Sequence, residues 1–188
     1  MSWILLLTTI RKKINKKEKV KMRTHYINIK NDGLLHIKSP DGMYNQQTEF
    51  CAKLVDVGIK NSAYGTEQYF LNFMKHDSDD DVYCLIGEKY NSAILALFNF
   101  LDSVERYRDI TIKTYMKVDV DEGKTRTYLV VFNGEDRLAW KDPLANIPRI
   151  DKNGKKVDDT NFQKSFYEQL RSIKEKLRRK ATRSTVLF

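Results

Sequence analysis

Cysteine, proline and histidine are scarce in this chain of 188 residues, at two, three and three. Two cysteines, Cys51 and Cys84, are too few for a disulfide framework, and no CxxC spacing offers a zinc site. The expectation is a reduced, cytoplasmic protein with both thiols buried in strand-like runs. His25, His36 and His76 share no spacing and no HExxH-type setting, so they read as neutral surface histidines. GxxxxGK[ST], GxGxxG and GxSxG are all missing, which leaves nucleotide hydrolysis and serine-hydrolase chemistry without support. No catalytic residue, cofactor or metal is assigned. Long apolar runs are missing too. Trp3 to Leu7 falls far short of the roughly 20 residues a membrane helix needs, and its charges follow it, the reverse of a signal peptide. No membrane partner is expected.

What is present in quantity is positive charge, and it is segregated. The formal net charge is +9. Residues 1–24 hold eight Lys or Arg against one Glu, and residues 162–188 hold eight against two. Between them, 18 basic residues meet 22 acidic ones, so the body is −4. Basic ends on a slightly acidic body suit a polyanion, because Lys and Arg that neutralise phosphates release counterions. The bland reading is that solvated tails are often basic for no specific reason.

Three segments follow. Residues 1–24 read as a basic, disordered extension, with Met22 an alternative start. Residues 25–160 read as the folded domain, and 161–188 as a basic amphipathic helix and tail. Within the domain, HYINIKNDGLLHIK (25–38) predicts two short strands around an Asn-Asp-Gly turn. Ser39 to Gln47 reads as a polar loop. Phe50 to Lys60 is a strand whose apolar alternation changes phase midway, the mark of a β-bulge. Thr66–Lys75 and Val82–Glu88 are the next two strands. A helix capped by Asn91 or Ser92 follows, with Ile94, Leu97, Phe98, Leu101 and Val104 on one buried face. In Ile110–Val120, the residues Ile110, Ile112, Thr114, Met116 and Val118 are expected inward. Thr125–Phe132 is the closing strand, with Leu129 and Val131 inward. A short strand over Arg137–Trp140 comes next. Pro143 and Pro148 then hold the chain extended, and Asn153-Gly154 marks a turn. In the final helix, Thr160 and Gln163 have capping-box spacing, and Phe162, Phe166, Leu170, Ile173 and Leu177 form the stripe.

Three strands, a helix and two strands is the order of an OB-fold barrel, which holds oligonucleotides or oligosaccharides. The expected class is therefore mainly β with α: a five-stranded OB-fold barrel (β-β-β-α-β-β) plus an N-terminal hairpin and a C-terminal helix. Single strands bind such surfaces by stacking bases on exposed aromatics beside a cationic track. Phe70 lies between Gln68 and Asn72 on a polar face, where an apolar ring lacks a core reason. Tyr83 would sit on the neighbouring strand. Tyr115 is interleaved with Lys113 and Lys117, and Lys53, Lys60, Arg126 and Tyr128 would extend the track. These nine are the candidate DNA-binding residues. The competing explanation for each ring is packing against the N- or C-terminal segments.

Asp77, Asp79, Asp81 and Glu88 occupy positions 1, 3, 5 and 12 of a calcium-loop pattern. Position 6 is Val82, where the sharp turn demands Gly, and the loop would contain a strand. It reads instead as a solvated connection. The basic C-terminal helix reads first as a stripe docked on the barrel. Its stripe is too narrow for a membrane-surface anchor.

From about Tyr26 to Leu177 the chain resembles the OB-fold single-stranded DNA-binding proteins of tailed bacteriophages. The matching features are YINIKNDGLLHIK, the strand order, NSAILALFNFL, RLAWKDP, the NGKKV turn and a closing helix with FYEQL. The resemblance implies coating of single-stranded DNA during phage replication or recombination, in the host cytoplasm and without catalysis. Replication or recombination proteins are the implied further partners. Many such proteins recruit partners through an acidic tail. This chain ends in RRKATRSTVLF, which is basic, so that route is not expected. Two rivals stand beside this reading: an OB barrel used for protein docking, and an RNA-binding barrel.

Overall fold

The structure, a computed structural model, describes residues 22–78, 80–88, 91–107, 109–119, 123–139 and 160–185. Most of the N-terminal extension, the Pro143–Pro148 stretch and the Asn153-Gly154 turn lie outside the described residues. So do the side chains of residues 160–162, and with them Phe162 and the Thr160 end of the capping box.

The described elements are β1 (Arg23–Ile29), β2 (Leu35–Lys38), β3 (Tyr44–Gln47), β4 (Glu49–Asn61), β5 (Glu67–Met74) and β6 (Asp81–Glu88). They continue with α1 (Ser92–Asp102), β7 (Ile110–Asp119), β8 (Lys124–Asn133), β9 (Asp136–Arg137) and α2 (Thr160–Thr185). Among the described residues, nine strands form one curled sheet, a half-barrel, in the order β3-β2-β1-β6-β5-β4-β7-β8-β9. The protein is mainly β with two described helices. Neither of them is long and apolar enough to cross a membrane.

The phase slip in β4 is real. Its pairing with β5 shifts register between Leu54 and Asp56. Phe50, Ala52 and Leu54 are buried before the slip, and Val57 after it, so the apolar side stays inward through the bend. The Leu54 N–H donates to the Tyr107 carbonyl (3.1 Å), outside the β4–β5 ladder. The bend lets one strand pair with β5 along 53–61 and with β7 along 49–52.

A five-stranded barrel would leave the free edge of β6 to pair with β8. That edge instead carries β1, in parallel, with Tyr26 opposite Cys84 and Ile27 opposite Leu85. The expected N-terminal hairpin is therefore part of the sheet. It is also longer than expected, because Tyr44–Gln47, read as loop, is β3 and pairs with β2. Sheet closure falls to the β1–β2 turn. Thr114 Oγ1 donates to the Gly33 carbonyl (2.7 Å), and the Gly33 N–H donates to Thr127 Oγ1 (3.1 Å). Thr127 Oγ1 in turn donates to the Lys30 carbonyl (2.7 Å). The turn thus rests on the inner side of β7–β8.

That contact ends the barrel interior. Ile110, Ile112 and Thr114 are buried, but Met116 and Val118, expected inward, are each 55% exposed. The alternation continues past the turn, but among the described residues no layer faces it there. The outer part of β7–β8 is a projecting arm.

Asn91 caps α1, its side chain accepting from the Ala93 and Ile94 N–H groups. Every residue from Ile94 to Asp102 is buried, rather than one face. α2 supplies the second wall, packing on α1 and β4. Phe166 stacks on Tyr69 (4.3 Å between ring centroids) and meets Phe98 edge-on (4.9 Å). Lys176 Nζ donates to the Asp102 carbonyl at 2.6 Å. The stripe expected of the last helix is therefore core, with Phe166, Leu170 and Ile173 buried. Cys84 is buried as expected, whereas Cys51 is exposed, because its side chain points to the outer side of β4.

Candidate nucleic-acid interface

β7 and β8 form a ten-rung antiparallel ribbon from Ile110–Asn133 to Asp119–Lys124. Side chains alternate between its sides. Since Ile112, Thr114 and Val131 point inward, Lys113, Tyr115 and Lys117 point outward, with Val130, Tyr128 and Arg126 opposite them. Tyr115 and Tyr128 share a rung and are 47% and 38% exposed. Their rings stack with centroids 5.5 Å apart and planes 17° apart. The next outward-facing rung toward the arm's tip, two rungs on, sets Lys117 against Arg126. This rung sets two cations directly opposite one another on the outward side. On the other side of the tyrosines, Lys113 is held to Glu49 (2.9 Å) and lies 5.4 Å from the Phe132 ring.

Five of the nine residues read from the sequence, Lys113, Tyr115, Lys117, Arg126 and Tyr128, thus form one outward patch. The others separate. Phe70 and Lys60 lie on the β4–β5 part of the outer side, one rung pair apart. Phe70 does have a structural reason on its polar face. It is paired with Gly58, and a Cβ there would come within 2.6 Å of its ring. The half-buried ring covers the glycine. Lys53 is exposed at the start of the β4–β5 ladder, before the bulge.

Tyr83 is on the opposite side. It pairs with Phe73, which is fully buried, while Phe70 pairs with Ile86. Its ring stacks on His25 (4.5 Å) and tilts against Phe50 (5.3 Å), with Lys75 Nζ at 5.1 Å. Desolvation, and then the carboxylates of Asp81 and Asp77, push the Tyr83 hydroxyl above its ordinary pKa. Tyr83 therefore belongs to the lining of the half-barrel and leaves the outer set.

The acidic connection 77–81 anchors β1 to β6. Asp81 binds Arg23 (2.8 Å), His25 (3.3 Å) and Ser78 (3.0 Å). Desolvation pushes its carboxyl up, but these hydrogen bonds and the Arg23 charge outweigh it and hold the pKa below the ordinary value. Among the described residues no group of three or more His, Cys, Asp or Glu is placed to hold a metal ion. His36, expected at the surface, is buried. It bonds Asp32 (2.6 Å) and approaches Gln46 (3.4 Å), which fixes the β1–β2 turn to β3.

Sequence reasoning missed a second exposed aromatic group. Tyr26, Lys38 and Tyr44 occupy one rung across β1, β2 and β3. Tyr44 was hidden in a supposed loop. The Pro40-Asp41-Gly42 step is a turn signal that could have revealed the β2–β3 hairpin.

No family model matches the chain, and neither the curated proteins nor the solved structures contain a match to it.

Proposed function

We propose that this protein binds single-stranded DNA without sequence preference, using the outer side of β7–β8 on an OB-type barrel. The observation that carries the reading is the stacked Tyr115–Tyr128 pair beside the Lys117–Arg126 rung. Two exposed rings offer π-faces to bases. The cations of the neighbouring rung, Lys117 and Arg126, supply positive charge beside the rings for phosphates. The body of the protein is net acidic, so a local cluster of this kind, together with the basic ends, has to supply the affinity. Support for the OB assignment is topological. β6-β5-β4-β7-β8, with α1 between β6 and β7, is the OB strand order, with β1 added at the β6 edge. This reading groups the protein with the phage DNA-coating proteins it resembles, acting in the host cytoplasm beside replication or recombination proteins.

The test is a fluorescence titration with oligo-dT at two salt concentrations, with oligo-U and duplex as competitors. Affinity should fall with salt, by a slope of about 0.7 per phosphate contact for single strands. Tyr115→Ala and Tyr128→Ala should each cost about 1–3 kcal/mol. Lys117→Gln should reduce the salt slope more than Lys113→Gln, because Lys113 must leave Glu49 to reach a phosphate. No binding at low salt, or binding without salt dependence, ends the proposal. Preference for oligo-U redirects it to RNA.

A further inference from the structure

The rung formed by Tyr26, Lys38 and Tyr44 is not used by the β7–β8 patch. Tyr26 is 44% exposed and Tyr44 64%. Among the described residues neither ring stacks on another ring. Lys38 stands between them in register, its Nζ 5.6 Å from the centre of the Tyr44 ring. Strands about 4.8 Å apart place the two tyrosines about 10 Å from each other across the lysine. Asp41, on the same hairpin, is turned into its own loop, where it accepts from Ser39 Oγ and the Met43 N–H. Like the β7–β8 patch, it combines two exposed tyrosines with a neighbouring cation, although here the lysine stands between the rings.

The two patches lie on touching elements but on different sides of β8, since Thr127 points inward and Tyr128 outward, so a strand that engages both must round the β8 edge. The Thr127–Lys30 and Thr127–Gly33 hydrogen bonds bring the end of β1 against β8, at the residue next to Tyr128. From Lys30, which is exposed, Tyr26 is four residues back along β1, a distance of about 13 Å at about 3.3 Å per residue. We infer that Tyr26, Lys38 and Tyr44 form a second stacking subsite, which engages the same single strand after it leaves Tyr115 and Tyr128. This inference rests on the proposed DNA-binding role of β7–β8.

The experiment compares wild type, Y26A/Y44A and Y115A/Y128A on two lengths of oligo-dT. One is about 6 nucleotides and the other about 20, near the lower end and beyond the upper end of the about 4–16 that one OB barrel covers. Y26A/Y44A should weaken the long oligonucleotide about tenfold or more and leave the short one within about twofold. Lys38→Gln should lower the salt slope on the long oligonucleotide alone, by about 0.7. Thermal unfolding of each variant checks that the fold is kept. A long-oligonucleotide affinity unchanged in Y26A/Y44A, or an equal loss at both lengths, overturns the second subsite while leaving β7–β8 in place. Failure of the wild type to bind either length, by contrast, overturns the function itself.

Discussion

Gly33→Ala should cost more stability than its backbone angle alone explains. Gly33 has φ +76°, and holding an L-residue there costs roughly 1–2 kcal/mol. An added Cβ would also lie 2.9 Å from Met116 Cβ and 3.0 Å from Met116 N. Neither atom is the tip of a flexible side chain, so β7 or the turn has to move. Overpacking of that kind costs about 1–3 kcal/mol, for a total of about 2–5 kcal/mol. Gly42 provides the control. Its φ is +89°, yet among the described residues nothing lies within 4 Å of the position a Cβ would take, so Gly42→Ala carries only the angular cost. Urea unfolding separates the two. With a slope of about 2 kcal/mol per M, Gly33→Ala should move the midpoint about 0.5–1.5 M further than Gly42→Ala. Coincident midpoints would refute the idea that this turn, pressed on β7, closes the sheet.

Phe166→Ala should cost about 3–5 kcal/mol, since the ring is buried between Tyr69 and Phe98. Limited proteolysis should then cut α2 early, and an unchanged digestion pattern would mean the helix is not held there. Asp81 has a lowered folded pKa. Its stabilisation is therefore full above the ordinary value of 3.8 and is lost as pH falls through the lower folded value. Asp81→Asn should flatten the drop in melting temperature in that acid range, and an equally steep drop in the variant would exclude Asp81 as a source. A thiol reagent should modify Cys51 in the native protein and Cys84 only after unfolding, because burial raises the Cys84 pKa. Equal rates at the two thiols would contradict their placement.

Much of the local structure was legible in the residues. The phase change after Leu54 located the bulge, the Asn91-Ser92 step narrowed the helix cap to two residues, and the alternation of Lys113, Tyr115 and Lys117 located the outward side of β7. Each of these depends on near neighbours in the chain, where period and capping chemistry act directly. The candidate site was legible in part for the same reason. Tyr115 stood out from its flanking lysines, but its contact with Tyr128 depends on the hairpin register.

Where the sequence misled, the deciding partner was distant. Phe70 lacked a reason to be on a polar face until Gly58 was found opposite it. Tyr83 belonged with Phe70 only if the two strands paired one residue out of their actual register. Met116 and Val118 follow the inward pattern, yet the Gly33 turn ends the interior before them.

By itself, then, the sequence determined most of the strands, β3 excepted, both described helices, and which side of each long strand is apolar. Side-chain period and turn chemistry are properties of neighbouring residues. The tertiary structure decided that β1 takes the edge of β6, that the β1–β2 turn closes on β7–β8 through Thr127 and Lys30, and that Tyr115 meets Tyr128. Those outcomes depend on which edges pair and in what register, and pairing between residues such as Lys30 and Thr127 leaves no mark in the local sequence of either.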